Sequence, residues 1–470
     1  MKNLFILILI LGVSGIAKAQ ESWSLEQCIN TALERNLNVR NSNLQVDLAE
    51  TNHLNNKGAF LPSVNLFLNT NLNFGRTIDP FTNTFATDEV RSDAYGVNGR
   101  WELFNGLQNV NRYKRGQFDL MAAQYDADKT ANDISLQVTY AYLDVLFNEE
   151  LFKVAQEQVA VTRKQTERTS KLVDAGSLPM GNLMDMQAQL ANEELNEVNA
   201  QNNMELSYLK LLILMRIDSV TSFAIDKPEL NIEDVTSLDA TPAFVYNKAV
   251  QSLPEVKSAE MRYESSVKAL SMERGKMSPS LVLQGSVGSG YSGKNVDPNS
   301  AYLTGVETIG VTETGEDVLR PSYDYAAIKP FGDQVNDNFN QSIGFTFTLP
   351  ILNGLSTHTS ISRAKVNREI RQNELDQVKY QINETVKKAY FDAQAALKKY
   401  QSNEKAVAAN RESYKYAEKR YELGMMNAVE FNQSKNNLIR AESNLLQAKY
   451  DYVFKSKILD FYMGKPLTLK

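Results

Sequence analysis

The sequence predicts a membrane protein of the α+β class: long antiparallel α-helical coiled coils joined to four transmembrane β-strands per chain. Three observations carry this. The chain repeats itself once. Runs of about ten to twelve residues alternate apolar with polar side chains, the spacing of a strand with two different faces. After each pair of such runs comes a stretch of about seventy residues without proline.

The repeat sets the organisation. Asn105-Gly106-Leu107 and Asn353-Gly354-Leu355 stand 248 positions apart, and Ala141-Tyr142, Asp144, Gly176, Glu194 and Asn196 find Ala389-Tyr390, Asp392, Gly424, Glu442 and Asn444 at the same offset. Upstream the offset is 217: Ala32, Val39, Gly58, Pro62 and Ser63 match Ala249, Val256, Gly275, Pro279 and Ser280. One insertion in the second half, 248 − 217 = 31 residues between its Pro-Ser and its Asn-Gly, explains both offsets. The chain therefore divides into a first repeat over 20–217, a linker over 218–240, a second repeat over 241–464 and a tail over 465–470.

Residues 1–19 read as a cleaved signal peptide, with Lys2, an apolar core from Leu4 to Val13 and the small-x-small site Ala17-Lys18-Ala19. The core is short for a membrane anchor, and Cys28 is not at the cleavage point, so a lipoprotein is not indicated. Removing Lys2 and Lys18 takes the formal charge from −6 to −8, which argues against nucleic acid as a partner. Cys28 is the only cysteine, so no intrachain disulfide or cysteine metal cluster can form. His53 and His358 are the only histidines, both in polar surroundings, and no paired-carboxylate motif stands out. The chain reads as no enzyme, with no cofactor and no metal site.

Each half then runs in the same order. The first helix spans roughly Leu25 to Phe60, with Ser24 and Gln27 as a capping box. Its partner spans Ala243 to Met277, capped by Thr241 with Pro242 at the first helical position. They stop before Pro62 and Pro279. A β-hairpin follows, about 63–104 in the first half and 280–350 in the second. Val64, Leu66, Leu68, Leu72 and Phe74 fall on one face, and Asn65, Asn69, Asn71 and Asn73 on the other. The returning strand sets Tyr95, Val97, Trp101 and Leu103 opposite Asn98, Arg100 and Glu102. The second hairpin repeats the pattern with Leu281, Leu283, Val287 and Tyr291, then Ile343, Phe345, Phe347 and Leu349. Such lengths suit strands tilted across a bilayer, whereas soluble strands are usually about half as long. Four strands cannot close a barrel, and lipid tolerates no open edge. Two copies would give eight strands and a filled interior; three would give twelve and leave room for solute.

From Gly106 to Gly176 and from Gly354 to Gly424 is 70 residues each, room for helices of about 105 Å at 1.5 Å per residue. Shorter helices return, Asn182 to about Ile217 and Val429 to about Met463, giving helical hairpins over 106–217 and 354–463. Val386, Ala389, Ala393, Ala396 and Tyr400 step by three and four, as do Leu438, Ala441, Leu445, Ala448 and Tyr452, which marks closely packed seams. The pairs Asn105-Gly106 and Asn353-Gly354 mark the joints where strand becomes helix. Both residue types tolerate unusual backbone angles.

This plan resembles the TolC family of outer-membrane efflux channels over nearly the whole mature chain. The likeness rests on the doubled helix–hairpin–helix order, the strand starts at Pro62 and Pro279, the "NGL" joints, the "KLVDAG" and "KRYELG" helical tips and the C-terminal "MGKPL". It implies a homotrimer in the outer membrane, with one twelve-stranded barrel and a long helical tunnel reaching into the periplasm. It implies work with a periplasmic adaptor and an inner-membrane pump, passing small toxic molecules or exported polypeptides outward. It places the adaptor-docking tips at Gly176 and Gly424. By the same likeness the gate would lie at Glu430, where the family sets an acidic ring, with Gln433 replacing its second acid and Asn182 and Asp185 at the equivalent first-half positions. The family's tyrosine is kept at Tyr421, its acidic partner becomes Asn182, and its arginine becomes Met426, so closure would rest on a neutral hydrogen bond and apolar contact. From the residues alone, Glu430 reads equally as a cap partner of Asn427. A periplasmic coiled-coil adaptor or scaffold without a pore is the alternative, and it would be soluble without detergent. The segment from Ser292 to Phe339 should lie outside the cell as a plug, a receptor site or a disordered cap.

Overall fold

The computed structural model describes residues 22–218, 223–228 and 240–469. The expected signal peptide and most of the expected linker lie outside them. In chain order the elements are β1 (Ser22–Trp23), α1 (Leu25–Arg35), α2 (Leu37–Gly58), β2 (Ser63–Asn73), β3 (Thr77–Ile78), β4 (Phe85–Ala86), β5 (Val90–Asn105), α3 (Gln108–Asp174) and α4 (Met180–Met215). Then come β6 (Ala224–Ile225), α5 (Pro242–Ser252), α6 (Pro254–Gly275), β7 (Ser280–Ser292), β8 (Ala301–Val311), β9 (Asp317–Tyr325), α7 (Phe331–Asp337), β10 (Asn340–Thr348), α8 (Ser356–Glu422) and α9 (Ala428–Tyr462). The described residues form two compact units, those within 22–49, 118–263 and 370–469 in one and 50–117 and 264–369 in the other, each drawn from both repeats.

The two long helices have 67 residues each, about 100 Å of helix apiece. Both end in the same device. Gly176 and Gly424 take φ of +74° and +71°. Ser177 N–H donates to Leu172 O (2.8 Å) and Gly176 N–H to Val173 O (2.9 Å); Met425 N–H donates to Arg420 O (2.8 Å) and Gly424 N–H to Tyr421 O (3.1 Å). This Schellman geometry satisfies the last carbonyls of each helix and needs a residue without a Cβ.

The first helix of each half is broken rather than continuous, a correction to the expected spans of Leu25–Phe60 and Ala243–Met277. Asn36 (φ −68°, ψ 129°) and Leu253 (φ −69°, ψ 130°) interrupt them with extended backbone at positions 217 apart. Leu253 precedes Pro254, which disfavours helical angles in the residue before it. At Asn36 the side chain does the equivalent work, accepting from Asn38 N–H at 2.8 Å.

The core of the helical unit respects the repeat. Ala32 and Val39 pack with Ile134, Val138 and Tyr142 in one cluster. Ala249 and Val256 pack with Ile382 and Val386 in another. Val138 and Val386, 248 apart, are both fully buried, and each such side chain contributes about 1.5–3 kcal/mol on leaving water. Cys28 lies in the first cluster, fully buried, its thiol pushed up to about 12 by loss of solvent with Asp226 adding to it. The seam residues Ala393, Ala396, Ala441, Ala448 and Tyr452 are buried as their spacing predicts.

At the strand–helix joints the left-handed angles fall on glycine and leucine: Gly106 and Leu107 at +66° and +62°, Gly354 and Leu355 at +61° and +64°. Asn105 and Asn353 do not take positive φ, contrary to expectation. Asn105 instead caps α3, its Oδ1 accepting from Asn109 N–H at 3.3 Å. The segment between β7 and β10 is no disordered cap: β8 and β9 pair as an antiparallel hairpin, and α7 packs beside β7.

Candidate functional site

Two regions carry the chemistry a transport protein would need, one in each unit. The first is a four-stranded antiparallel sheet in the order β10-β7-β5-β2. Its register fixes which side chains share a face, because residues paired across strands point the same way. Val64, Gly99, Gly285 and Ile343 form one cross-strand row; Leu66, Val97, Val287 and Gln341 form the next. Trp101, Leu283 and Phe345 follow on the same face. Leu66, Leu68, Ile343 and Phe345 are 81%, 72%, 79% and 67% exposed, so this apolar face has no cover within the chain. A soluble protein rarely leaves so large an apolar patch bare, and a membrane strand must.

The opposite face is mostly polar, with Phe67 and Val282 among its apolar members. Asn65, Asn98, Ser286 and Ser342 form one row across all four strands, and Ser286 Oγ lies 2.8 Å from Ser342 Oγ. One bulge departs from the expected alternation. The register shifts between Glu102 and Phe104, so Phe104, not Leu103, stands opposite Leu281 in the row with Phe347. Leu349, expected on the apolar face, lies just past the end of β10. No described helix is long and apolar enough to cross a membrane.

The second region is the helical tip. Asn427 caps α9, its Oδ1 accepting from Glu430 N–H at 2.8 Å, which is the forward half of the expected capping pair. Glu430, Gln433 and Asp185 are exposed; Gln433 Nε2 donates to Asn437 Oδ1 at 3.0 Å. Asn182 and Met426 are half-buried. Tyr421 stacks on the buried Phe431 with centroids 4.6 Å apart and planes 14° apart. Its Oη is buried without a hydrogen-bond partner, so the expected link from Tyr421 to Asn182 is not made within one chain. Gly176 and Gly424 sit at the two turns with open space around them.

Sequence reasoning missed the groups that tie the helices together here. Arg163 pairs with Glu194 at 2.9 Å and Arg411 with Glu442 at 2.8 Å, the same staple at a 248-residue offset in each hairpin. Arg168 reaches Glu422 at 3.0 Å, joining α3 to α8. Deeper in, Lys435 Nζ on α9 lies 3.0 Å from Glu193 Oε1 on α4 and also bonds Thr162 Oγ1 on α3. Gln189 Nε2 donates to the same carboxylate at 2.7 Å. Burial holds the Lys435 ammonium below its ordinary value of 10.5, outweighing the carboxylate beside it. A signal existed: stepping back from Leu438 by three and four reaches Lys435 and Phe431, so the lysine occupies a seam position.

The comparisons with known proteins agree with this geometry. The sequence model of the outer membrane efflux protein family matches residues 28–215 and 245–465. The chain is 22% identical to the outer membrane protein TolC of Vibrio cholerae serotype O1 over 457 residues, 96% of this chain and 93% of that one. It is 20% identical to TolC of Escherichia coli strain K12, covering 99% and 87%. Among solved structures, the outer membrane protein VceC of Vibrio cholerae superposes with a TM-score of 0.70 at 14% identity, covering 94% of this chain and 96% of that one.

Proposed function

From the premise that this chain belongs to the outer membrane efflux protein family, and is an outer-membrane efflux channel, we propose how it assembles and operates. Three copies close one twelve-stranded barrel, each giving the four strands β2, β5, β7 and β10. The observation that carries this is the two-faced sheet: one face mostly apolar and bare, the other lined by Asn65, Asn98, Ser286 and Ser342, with both outer strands unpaired on their free edges. Lipid covers the apolar face, and water and cargo pass along the polar one. The chain carries out no covalent chemistry. It acts as the exit duct of a tripartite assembly, receiving small toxic molecules or polypeptides from a periplasmic adaptor and an inner-membrane pump.

The turns at Gly176 and Gly424 are the surface that meets the adaptor, and Glu430 lines the closing end of the tunnel with Asp185, Asn182, Gln433, Met426 and Tyr421 nearby. Gly424 has open space for a side chain, though its angle favours glycine. Gly424→Asp should therefore leave a trimer in the outer membrane, at some cost to the helix end, while export in whole cells is lost. Export at the parental level would remove the tip as the docking surface.

A further inference from the structure

We propose that the loop between β2 and β5 narrows the pore exit: the β3–β4 hairpin leans over the polar face of the sheet and presents Ile78 and Phe85 to the channel, so that these two side chains set the size of cargo that leaves. This rests on the pore reading above and adds a specificity-determining element to it.

Three observations place the hairpin on the polar face. The sheet order sets β5 between β2 and β7, yet the loop that joins β2 to β5 reaches past β5 and touches β7. It does so at the end of the sheet farthest from the strand–helix joints. There Ala94 pairs with Gly290 and Ser92 with Ser292, on the same face as Asn98 and Ser286. A Cβ on Gly290 would collide with the ring of Phe81, so that ring fills the space a side chain would take on this face. Ser292 Oγ donates to Asp79 Oδ2 on the same side. The third observation is cover. Asn65 and Asn98, deeper along the polar face, are exposed, whereas Ser92 and Ser292 are 4% and 0% exposed. A loop that continued straight out from its strands would leave both serines bare.

The hairpin is fixed rather than loose. Asp79 is fully buried, and its Oδ1 accepts from Phe81 N–H at 2.8 Å and Thr82 N–H at 3.1 Å. With Ser292 its carboxylate has three donors, and lifting the hairpin would strip one of them from a buried group. Asn83 closes the turn at φ +55°, an angle asparagine tolerates, and its N–H donates to Asp79 O at 2.9 Å. On the apolar face α7 braces the same strand end. Ser289 Oγ donates to Val335 O at 2.6 Å, and the buried Gln334 bonds both the N–H and the carbonyl of Ser292, at 2.9 and 3.1 Å. The end of β7 is thus clamped between α7 on one side and the hairpin on the other.

The side of the hairpin turned from the sheet is apolar. Thr77 pairs with Ala86 and Ile78 with Phe85, so the two pairs lie on opposite sides. Thr77 and Ala86 are half-buried, while Ile78 and Phe85 are 55% and 68% exposed. The Arg76 guanidinium stands 5.1 Å from the centroid of the Phe85 ring and holds it from one side. In three copies around one pore, Ile78 and Phe85 make an apolar collar at the mouth of a polar channel. Such a constriction admits small solutes and slows bulky hydrated ones.

Labelling of Asn65→Cys from outside intact cells tests the collar. Cys28 is buried and does not contribute. The probes are a small charged methanethiosulfonate and a maleimide carried on a polyethylene glycol chain. Adding Ile78→Ala/Phe85→Ala removes exposed side chains and leaves the Asp79 and Phe81 anchors in place. It should raise the polymer's labelling rate about tenfold, with the small reagent unchanged. Asp79→Ala, which frees the hairpin, should act in the same direction. Polymer rates equal to the parent's in both variants overturn the collar, as does an equal rise for both reagents. Trimeric Asn65→Cys protein that the small reagent fails to label overturns the pore reading itself.

Discussion

Lys435 and Glu193 form an ion pair 3.0 Å long with side chains only 3% and 5% exposed, and it joins the two helical hairpins of one chain. The pair has no counterpart in the other half, where Asn410 and Ala441 stand 248 residues on from Thr162 and Glu193. Glu193→Leu leaves the ammonium buried beside Thr162 alone and should cost about 3–5 kcal/mol, because an uncompensated buried charge costs more than the pair returns. Lys435→Met combined with Glu193→Leu and Thr162→Val should recover most of that loss. Chemical unfolding of the purified protein measures both, and a single variant as stable as the parent would contradict the buried pair.

The same lysine gives a pH signature. Its folded value is depressed below 10.5, so the folded chain binds this proton less tightly than the unfolded chain. Between the lowered value and 10.5 the unfolded state carries more protons, and stability from this group rises with pH. The buried tyrosines Tyr142, Tyr208 and Tyr450 have raised values and act in the opposite sense above 10. The comparison is therefore the melting difference between the parent and Lys435→Met from pH 7 to 10, which should shift in the parent's favour as pH climbs. A flat difference would show that the lysine is hydrated.

The sheet makes a paired prediction. Leu68 and Asn69 are adjacent but lie on opposite faces. Leu68→Arg, like Phe345→Arg, should cost about 2–4 kcal/mol near the midplane, and Asn69→Arg far less. Trimer yield from outer-membrane preparations reads the difference, and equal yields would contradict the assignment of faces.

Much of this was legible because repetition checks itself. The "NGL" joints and the glycines at 176 and 424 bounded two helices that prove to have 67 residues each. The strand faces followed from alternation alone. The helix breaks did not, though Pro254 was a readable signal for one of them; at Asn36 the break rests on a side chain accepting from the backbone N–H of Asn38, a bond open to any asparagine. The bulge at Leu103 lay hidden because Leu103 and Phe104 are both apolar, and either satisfies the pattern. Lys435 escaped because a lysine in a polar helix reads as solvated until a third helix covers it.

At the tip, the cap accounts for the backbone of Glu430 but leaves its carboxylate exposed. Three such carboxylates converging on one axis would repel, hold protons together as a coupled set and attract multivalent cations. Trivalent cations on the periplasmic side should block single channels, and Glu430→Gln should abolish the block. Blockade that survives in that variant, or is absent from the parent, would leave Glu430 as a cap alone.

Whether the polar face of the sheet lines a conducting pore while the apolar face meets lipid can be measured directly. Single-channel current under a charged thiol reagent tests it, using Asn65→Cys and Leu66→Cys, adjacent residues on opposite faces. The buried Cys28 leaves the parent unreactive. Current should fall stepwise in Asn65→Cys, one step per copy, and stay unchanged in Leu66→Cys. Trimeric protein that carries no current, or a Leu66→Cys channel that closes as Asn65→Cys does, would contradict it.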